Sequence, residues 1–295
     1  MLGAKEGDAL PPSKEETEEQ LAAIPGVVEA RLEAVCCVEG QVSLFVGIEE
    51  RGAAHFAMRS APSGLALLPA DVMETYEKFL TALQNAAARG KDAEDLTSGH
   101  SQMADPDARA CQEQFLTVAR DRLGLLRDVL RNSSDGDHRA AAAYIIGYAP
   151  KKADVVDDLQ LAMQDPAPAV RSNAMRALAA VSVLAVRDPS LGIRIPPTWF
   201  VEMLNSIVLS DRHRAAIALG SVTADGGAGL DHIRERALGA VVEMARWKTL
   251  EYALPAFILT GRIAGLPDPQ IHEAWKNGNR EGVIKKALEL TRKAR

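Results

Sequence analysis

The spacing of hydrophobic and polar positions changes character along the chain. Residues 1–20 (MLGAKEGDALPPSKEETEEQ) offer few apolar positions and a proline pair. They read as a disordered acidic lead or a frayed first helix. Three β-favourable runs follow in 27–60: VVEARLEAVCCV, VSLFVGI and AAHFAMRS, separated by turns at Gly40 and Gly52. This pattern suits a three-stranded antiparallel meander. Val42, Leu44, Val46 and Ile48 alternate with Ser43, Phe45, Gly47 and Glu49, so one face is apolar. Phe45 on the other face predicts cover on both sides, and a sheet this small needs a helix to pack on. Ala30, Leu32 and Ala34 leave a helix over 27–38 as the alternative. From residue 70 the period becomes helical: Val72, Met73, Tyr76, Phe79, Leu80 and Leu83 recur at spacings of three and four. Asp71 is the expected N-cap and Gly90 the stop. After a polar loop, a long helix is expected from about Asp107 to Arg131, burying Phe115, Val118, Leu123, Leu126 and Leu130.

A repeat occupies the middle of the chain. SDGDHRAAAAYIIGYA (134–149), QDPAPAVRSNAMRALAAV (164–181) and LSDRHRAAIALGSV (209–222) each carry an Asp, an Arg and an Ala-rich apolar run. The arginines are Arg139, Arg171 and Arg214. The longer second interval holds RDPSLGIRIPPTW (187–199), whose prolines forbid a continuous helix. These units resemble HEAT repeats, best at Asp165-Pro166, Val170-Arg171, Ala174, Ala177 and Leu178. The resemblance covers 124–222 and extends more weakly over 233–265. It implies a mainly α fold, an α-α superhelix of stacked pairs, with a small β-containing N-terminal element. One unit cannot bury its apolar face alone, so stacking supplies the core. The resemblance also implies that Asp135, Arg139, Asp165, Arg171, Asp211 and Arg214 form a structural ladder between turns. The expected organisation is an acidic lead (1–20), a β-containing element (21–70) and a helical repeat domain (71–295). The last helix caps that domain, with Asn279 as its N-cap and Val283, Ile284, Ala287, Leu288 and Thr291 on one stripe.

Composition supports this class. Only 4% of the 295 residues are aromatic, and alanine and leucine are abundant. The net charge is −6: the first twenty residues carry −4, the last twenty +5 and the remainder −7. An acidic body speaks against a dedicated nucleic-acid binder. Three cysteines, Cys36, Cys37 and Cys111, fit a reducing compartment, so a cytoplasmic protein is expected. A signal peptide removed before Met1 is the alternative. No stretch approaches the roughly 18 apolar residues that span a bilayer, so no membrane insertion is expected.

Candidate chemistry is sparse. The six histidines (His55, His100, His138, His213, His232, His272) are scattered, without HExxH or Cys-x-x-Cys. No metal or cofactor is expected. His138 and His213 suit a turn surface. The loop Glu94–Ser101 gathers carboxylates, hydroxyls and an imidazole. Asp95 and His100 there are either loop-ordering residues or a general acid–base pair. Arg139, Arg171, Arg214, Arg246 and Arg262 offer an anion groove as a further alternative. Trp199, after Pro196-Pro197, suits a binding anchor; with Arg246 and Arg262 it is the binding candidate. The leading expectation is a non-enzymatic scaffold whose concave face binds a peptide or protein. An enzyme using the 94–101 loop and a small anion binder are the alternatives.

Overall fold

A computed structural model describes residues 7–38, 41–53, 57–224 and 227–294. It is 62% helical, so the mainly α expectation holds. The chain forms two compact units. A terminal unit joins Met1–Phe56 to Phe200–Arg295, and a central unit comprises Ala57–Trp199. The divisions expected at residues 20 and 70 are therefore not the boundaries the packing makes: the β element shares a unit with the C-terminal helices.

The terminal unit begins with helix α1 (Lys14–Ala22). Ser13 caps it, accepting the Glu16 N–H at 3.2 Å. Residues 14–20 of the acidic lead are thus helical, the alternative its sequence offered, and Leu21 of α1 is buried. Strands β1 (Val27–Val38) and β2 (Gln41–Glu50) pair antiparallel. The helical alternative for 27–38 is set aside. Ala30↔Ile48, Leu32↔Val46 and Ala34↔Leu44 share one face, where Leu21, Ala30 and Leu32 form a buried cluster with Leu44 and Val46. The opposite face carries Phe45 onto Trp247 and Tyr252, at 5.0 and 5.4 Å between ring centroids. Phe45 is covered, as its position implied. The expected third strand is not formed over 57–60. There the Arg59 N–H bonds to the Gln164 carbonyl instead of a strand neighbour. Gly40 and His55, part of that expectation, lie outside the described residues.

The central unit opens with an extended segment (57–69) and α2 (Ala70–Ala88). Pro69, not Asp71, occupies the N-cap. Asp71 lies in the first turn, where a negative charge complements the helix dipole. Gly90 ends the helix at φ +63. A short hairpin, β3 (Glu94–Asp95) with β4 (Gln102–Met103), leads to α3 (Pro106–Asp121). The expected single helix breaks at Arg122, and α4 (Leu123–Asn132) follows. Phe115, Ala119, Leu126, Val129 and Leu130 make a buried stripe on which position 122 falls. The break lets the guanidinium swing out toward Asp71, 3.4 Å away.

Helix α5 (Gly136–Ile146) is enclosed: every residue from Arg139 to Ala149 is buried. It packs on α2, α3, α4 and, after α6 (Val156–Ala162), on α7 (Pro168–Arg187). Tyr144 meets Phe79 at 4.7 Å and Phe115 at 5.8 Å. By length and composition α7 is apolar enough to cross a membrane, contrary to the expectation from sequence. Alanines on its buried face produce both properties. Past Arg187 the chain is a short 3-10 turn and then irregular to residue 197, the proline-imposed interruption.

Helix α8 (Thr198–Met203) spans the division between units. The terminal unit continues with α9 (Leu209–Val222), α10 (Ala228–Arg236), α11 (Leu238–Ala245), α12 (Leu250–Ile263), α13 (Asp268–Lys276) and α14 (Arg280–Ala294). On α14, Val283, Ile284, Ala287 and Thr291 are buried, matching the expected stripe.

Asp165 organises the central turns. Its fully buried carboxylate accepts both Nε and Nη2 of Arg139 at 2.9 Å. It also accepts Arg59 at 2.5 Å and the Ala167 N–H at 2.9 Å. Burial alone would push this carboxyl up, but the bonds from Arg139, Arg59 and Ala167 outweigh it and hold the group below its ordinary range. Arg171, 1% exposed, donates to the Asp165 and Pro166 carbonyls at 2.8 and 3.0 Å. Arg139 thus meets the acid of the following repeat. Asp135, expected in the ladder, caps α5 by accepting the Asp137 and His138 N–H groups. Arg139 and Arg171 are each the fourth residue of their helix, and the fourth residue of α9 is Arg212. Arg212 bonds Glu243 and the Ala240 carbonyl of α11. Buried Asp211 accepts Ser206 Oγ at 2.8 Å.

Replacing Asp165 by Asn should lower stability by about 3–5 kcal/mol, because it strands the buried Arg139 guanidinium. Urea unfolding of the variant, with unchanged transition slope, measures this.

Candidate functional site

The 94–103 segment is a hairpin because Glu94 and Asp95 pair with Met103 and Gln102. Gly99 closes its turn at φ +74, and a Cβ there would fall 2.7 Å from Leu184 Cδ2. Asp95 is exposed, and its Oδ1 accepts the Thr97 N–H at 2.8 Å. This bond favours the charged form and holds its carboxyl below the usual range. His100 points elsewhere: its Nδ1 lies 3.4 Å from Lys152 Nζ and its ring 5.0 Å from Tyr148. No hydrogen bond joins Asp95 to His100 among the described residues. His100 Nε2 is buried without a hydrogen-bond partner.

Around them lies a buried polar network. Gln112 Nε2 donates to Ser101 Oγ at 3.1 Å and to Tyr144 Oη at 3.0 Å, while its Oε1 accepts the Met103 N–H at 2.7 Å. Tyr148 Oη donates to the Ser101 carbonyl at 2.9 Å. Glu94 pairs with Arg176 of α7. Lys152 Nζ donates to the Gly147 carbonyl at 2.7 Å. Burial pushes Tyr144 and Tyr148 up and brings the Lys152 ammonium down to about 8. Burial, aided by the Lys152 charge, brings His100 down to about 4. Of these charged groups Lys152 lies beside His100, while the Glu94–Arg176 pair ties the hairpin to α7. Nothing in the local sequence KKAD marks Lys152 as buried.

The face of α5 and α7 on this side is covered. Asn173 Nδ2 donates to Tyr76 Oη of α2 and to the Ala140 carbonyl. Here α2 and the hairpin, segments of the chain itself, bond to α5 and α7. A depression of about 580 Å³ lies between Glu74, Glu77, Lys78, Thr81, Ala82, Asn85 and Asp107, away from Asp95 and His100.

The remaining candidates separate. His138 Nδ1 accepts the Leu68 N–H at 2.9 Å. His213 is no surface residue of a turn: it stacks on Tyr252 at 4.4 Å, and burial with the nearby Arg214 charge brings it down to about 4. Arg246 is engaged by Glu281 at 2.9 and 3.0 Å. Arg262 is engaged by Asp268 at 3.0 and 2.8 Å and by the Gly220 carbonyl at 2.5 Å. Arg246 thus sits in an exposed surface ion pair, and Arg262 in a half-buried one. Trp199 is half-buried in the first turn of α8, not on a projecting loop. Among the described residues no three His, Cys, Asp or Glu side chains gather as a metal site.

In the terminal unit α9 and α12 pack side by side and keep part of their surface accessible. On α9, Arg214, Ile217 and Ser221 recur toward the surface, Ile217 being 38% exposed. On the adjacent α12, Leu254, Pro255 and Ile258 are half-buried and Glu251 is exposed.

Residues 124–190 match the family model of HEAT repeats. This stretch includes the Asp165, Arg171 and alanine spacing that resembles HEAT repeats in the sequence. Among solved structures it resembles a designed armadillo repeat protein in complex with the peptide (KR)4. The identity is 12% and the TM-score 0.41, over 75% of this chain and 99% of that one. No curated protein matches the chain.

The two depressed imidazoles set an acid sensitivity. Each binds a proton near 6.5 when unfolded but only near 4 when folded. Between these values the unfolded state holds more protons, so stability falls as pH drops from 6.5 to 4. The loss should be no more than about 2 kcal/mol per histidine after solvent screening. His213→Phe should flatten part of this slope, read by thermal unfolding across pH 4–7. Lys152 has the same sign at higher pH: stability should rise from about pH 8 to 10.5.

Proposed function

We propose that this chain is a non-catalytic HEAT-repeat scaffold that binds a partner protein or peptide on the outward face of α9 and α12. The observation that carries the reading is the apolar row of Ile217, Leu254, Pro255 and Ile258 on two packed second helices. On α5 and α7 the chain's own α2 and hairpin make the bonds. An accessible row of this kind fits a groove for an apolar helix or strand face. The polar groups support the same reading from the other side. Asp95 is turned to its own loop, His100 Nε2 is sealed, and Arg246 and Arg262 are neutralised. The acidic body disfavours nucleic acid as the partner. A reducing, cytoplasmic setting suits the buried free thiol of Cys111.

Ile217→Glu and Ile258→Glu place charges on this face. Each should cut capture of a specific partner from native extract at least tenfold, about 1.4 kcal/mol, with a melting temperature within about 3 °C of wild type. Variants that capture the same partners as wild type would place the binding surface elsewhere.

A further inference from the structure

Residues 57–68 lie on the repeat turns of the central unit as an extended strap. The Arg59 N–H donates to the Gln164 carbonyl at 2.8 Å and the Gly64 N–H to the Asn132 carbonyl at 2.8 Å. The Ser134 N–H donates to the Gly64 carbonyl at 2.8 Å, and the Leu68 N–H to His138 Nδ1 at 2.9 Å. Gly64 is held so closely that a Cβ would stand 2.4 Å from the Asn132 oxygen. The Arg59 guanidinium enters a socket made by the Leu130 carbonyl (2.7 Å), the Arg131 carbonyl (3.4 Å) and Asp165 (2.5 Å). Two of these acceptors belong to the last turn of α4, the negative end of its dipole. A planar fork reaches several such acceptors together, which a lysine ammonium does less well.

Over residues 57–67 the strap's apolar side chains contribute little to its seating, whereas Leu68, where the strap joins α2, is buried at 4%. Leu65 is 91% exposed and Leu67 52%. Main-chain bonds and one half-buried arginine hold residues 59–64, which is how extended peptides are recognised: backbone bonds supply affinity and a side-chain socket supplies selectivity. Because residues 57–67 bury little apolar surface, they can lift from the turns while Leu68 stays docked and α5 and α7 stay folded.

We propose that the junction formed by the α4–α5 turn, Gln164 and Asp165 is a binding site for an extended polypeptide carrying an arginine five residues before a glycine. Residues 57–68 fill it in cis, and a partner segment of the same chemistry competes with them. This site is separate from the α9 and α12 face, so either can fail alone.

The probe is a fluorescein-labelled peptide of residues 57–69 (AMRSAPSGLALLP), titrated against the full-length chain by anisotropy. Arg59→Ala removes the resident anchor while leaving the socket intact. This variant should bind the peptide at least tenfold more tightly than wild type. The same peptide with its arginine replaced by alanine should lose that gain. Equal binding to both proteins, or none to a folded variant, would overturn the proposal. Native-state hydrogen exchange on the wild-type chain keeps the test open if the variant does not fold. The Arg59 and Gly64 amides should exchange by local opening, at least about 100-fold faster than Tyr144. Exchange of these amides only through global unfolding refutes an exchangeable strap.

Discussion

A buried carboxylate without enough donors is a liability, and with too few neighbours it protonates instead of ionising. Asp165 sits fully buried, yet its position in the fold surrounds it with donors from three separate stretches. Arg139 comes from the preceding repeat, Arg59 from the N-terminal strap and the Ala167 amide from its own turn. The Asp165 carbonyl in turn receives Arg171. Each of these groups is itself buried or half-buried, so each depends on the acid as much as the acid depends on them. The arrangement gives little net stability over an apolar core of equal volume, but removing one member is expensive. Arg139 ties α5 to the turn before α7 through the Asp165 carboxylate by two bonds of its own, and Arg59 seats the strap on the same carboxylate.

The same logic explains why N-terminal residues cover the repeats rather than standing apart. Second helices begin at tight turns whose first amides lack intrahelical partners. In the terminal unit, Glu33 of β1 accepts the Leu209 N–H at the start of α9, at 2.6 Å. Ser43 of β2 bonds Thr249, the residue before α12, at 2.9 Å. In the central unit the strap takes the turn at 132–134. A two-stranded sheet is marginal alone, and the helix starts need acceptors. Each supplies what the other lacks.

Much of this was readable in the chain. The 3.6 period located α2, α7 and α14, and the alternation at 42–49 located β2 and demanded a cover for Phe45. Asp165 and Arg171 announced the repeat. Where the reading missed, the deciding partner lay far away in sequence. Arg139 prefers the acid 26 residues on to nearby Asp135, because Asp135 is consumed by the amides of its own helix. Arg59 lies in a segment that looks like a third strand. Its role depends on a socket built from residues 130, 131 and 165, which no local pattern reveals. Lys152 carries no local mark of burial. The 94–101 loop drew attention for its composition, and composition could not say that Asp95 would turn outward while His100 turned in.

That divergence bears on what kind of protein this is. Acid–base chemistry needs two groups facing one accessible space. The hairpin orients its carboxylates by separate demands: Asp95 by the Thr97 amide, Glu94 by Arg176 across the network. His100 is left beside Lys152, a cation that opposes its protonation, with its far nitrogen sealed. Arg246 and Arg262 are likewise held in ion pairs. Buried polar groups so placed specify how the hairpin docks on α5 and α7. What the fold leaves facing outward is different in character: Ile217, Leu254, Pro255 and Ile258 on paired helices, and Leu65 and Leu67 on a strap held by its backbone. A surface of that composition gains by covering apolar side chains. The buried ion pairs and polar networks of this chain hold its repeats together, and on the proposed reading its exposed apolar positions serve association.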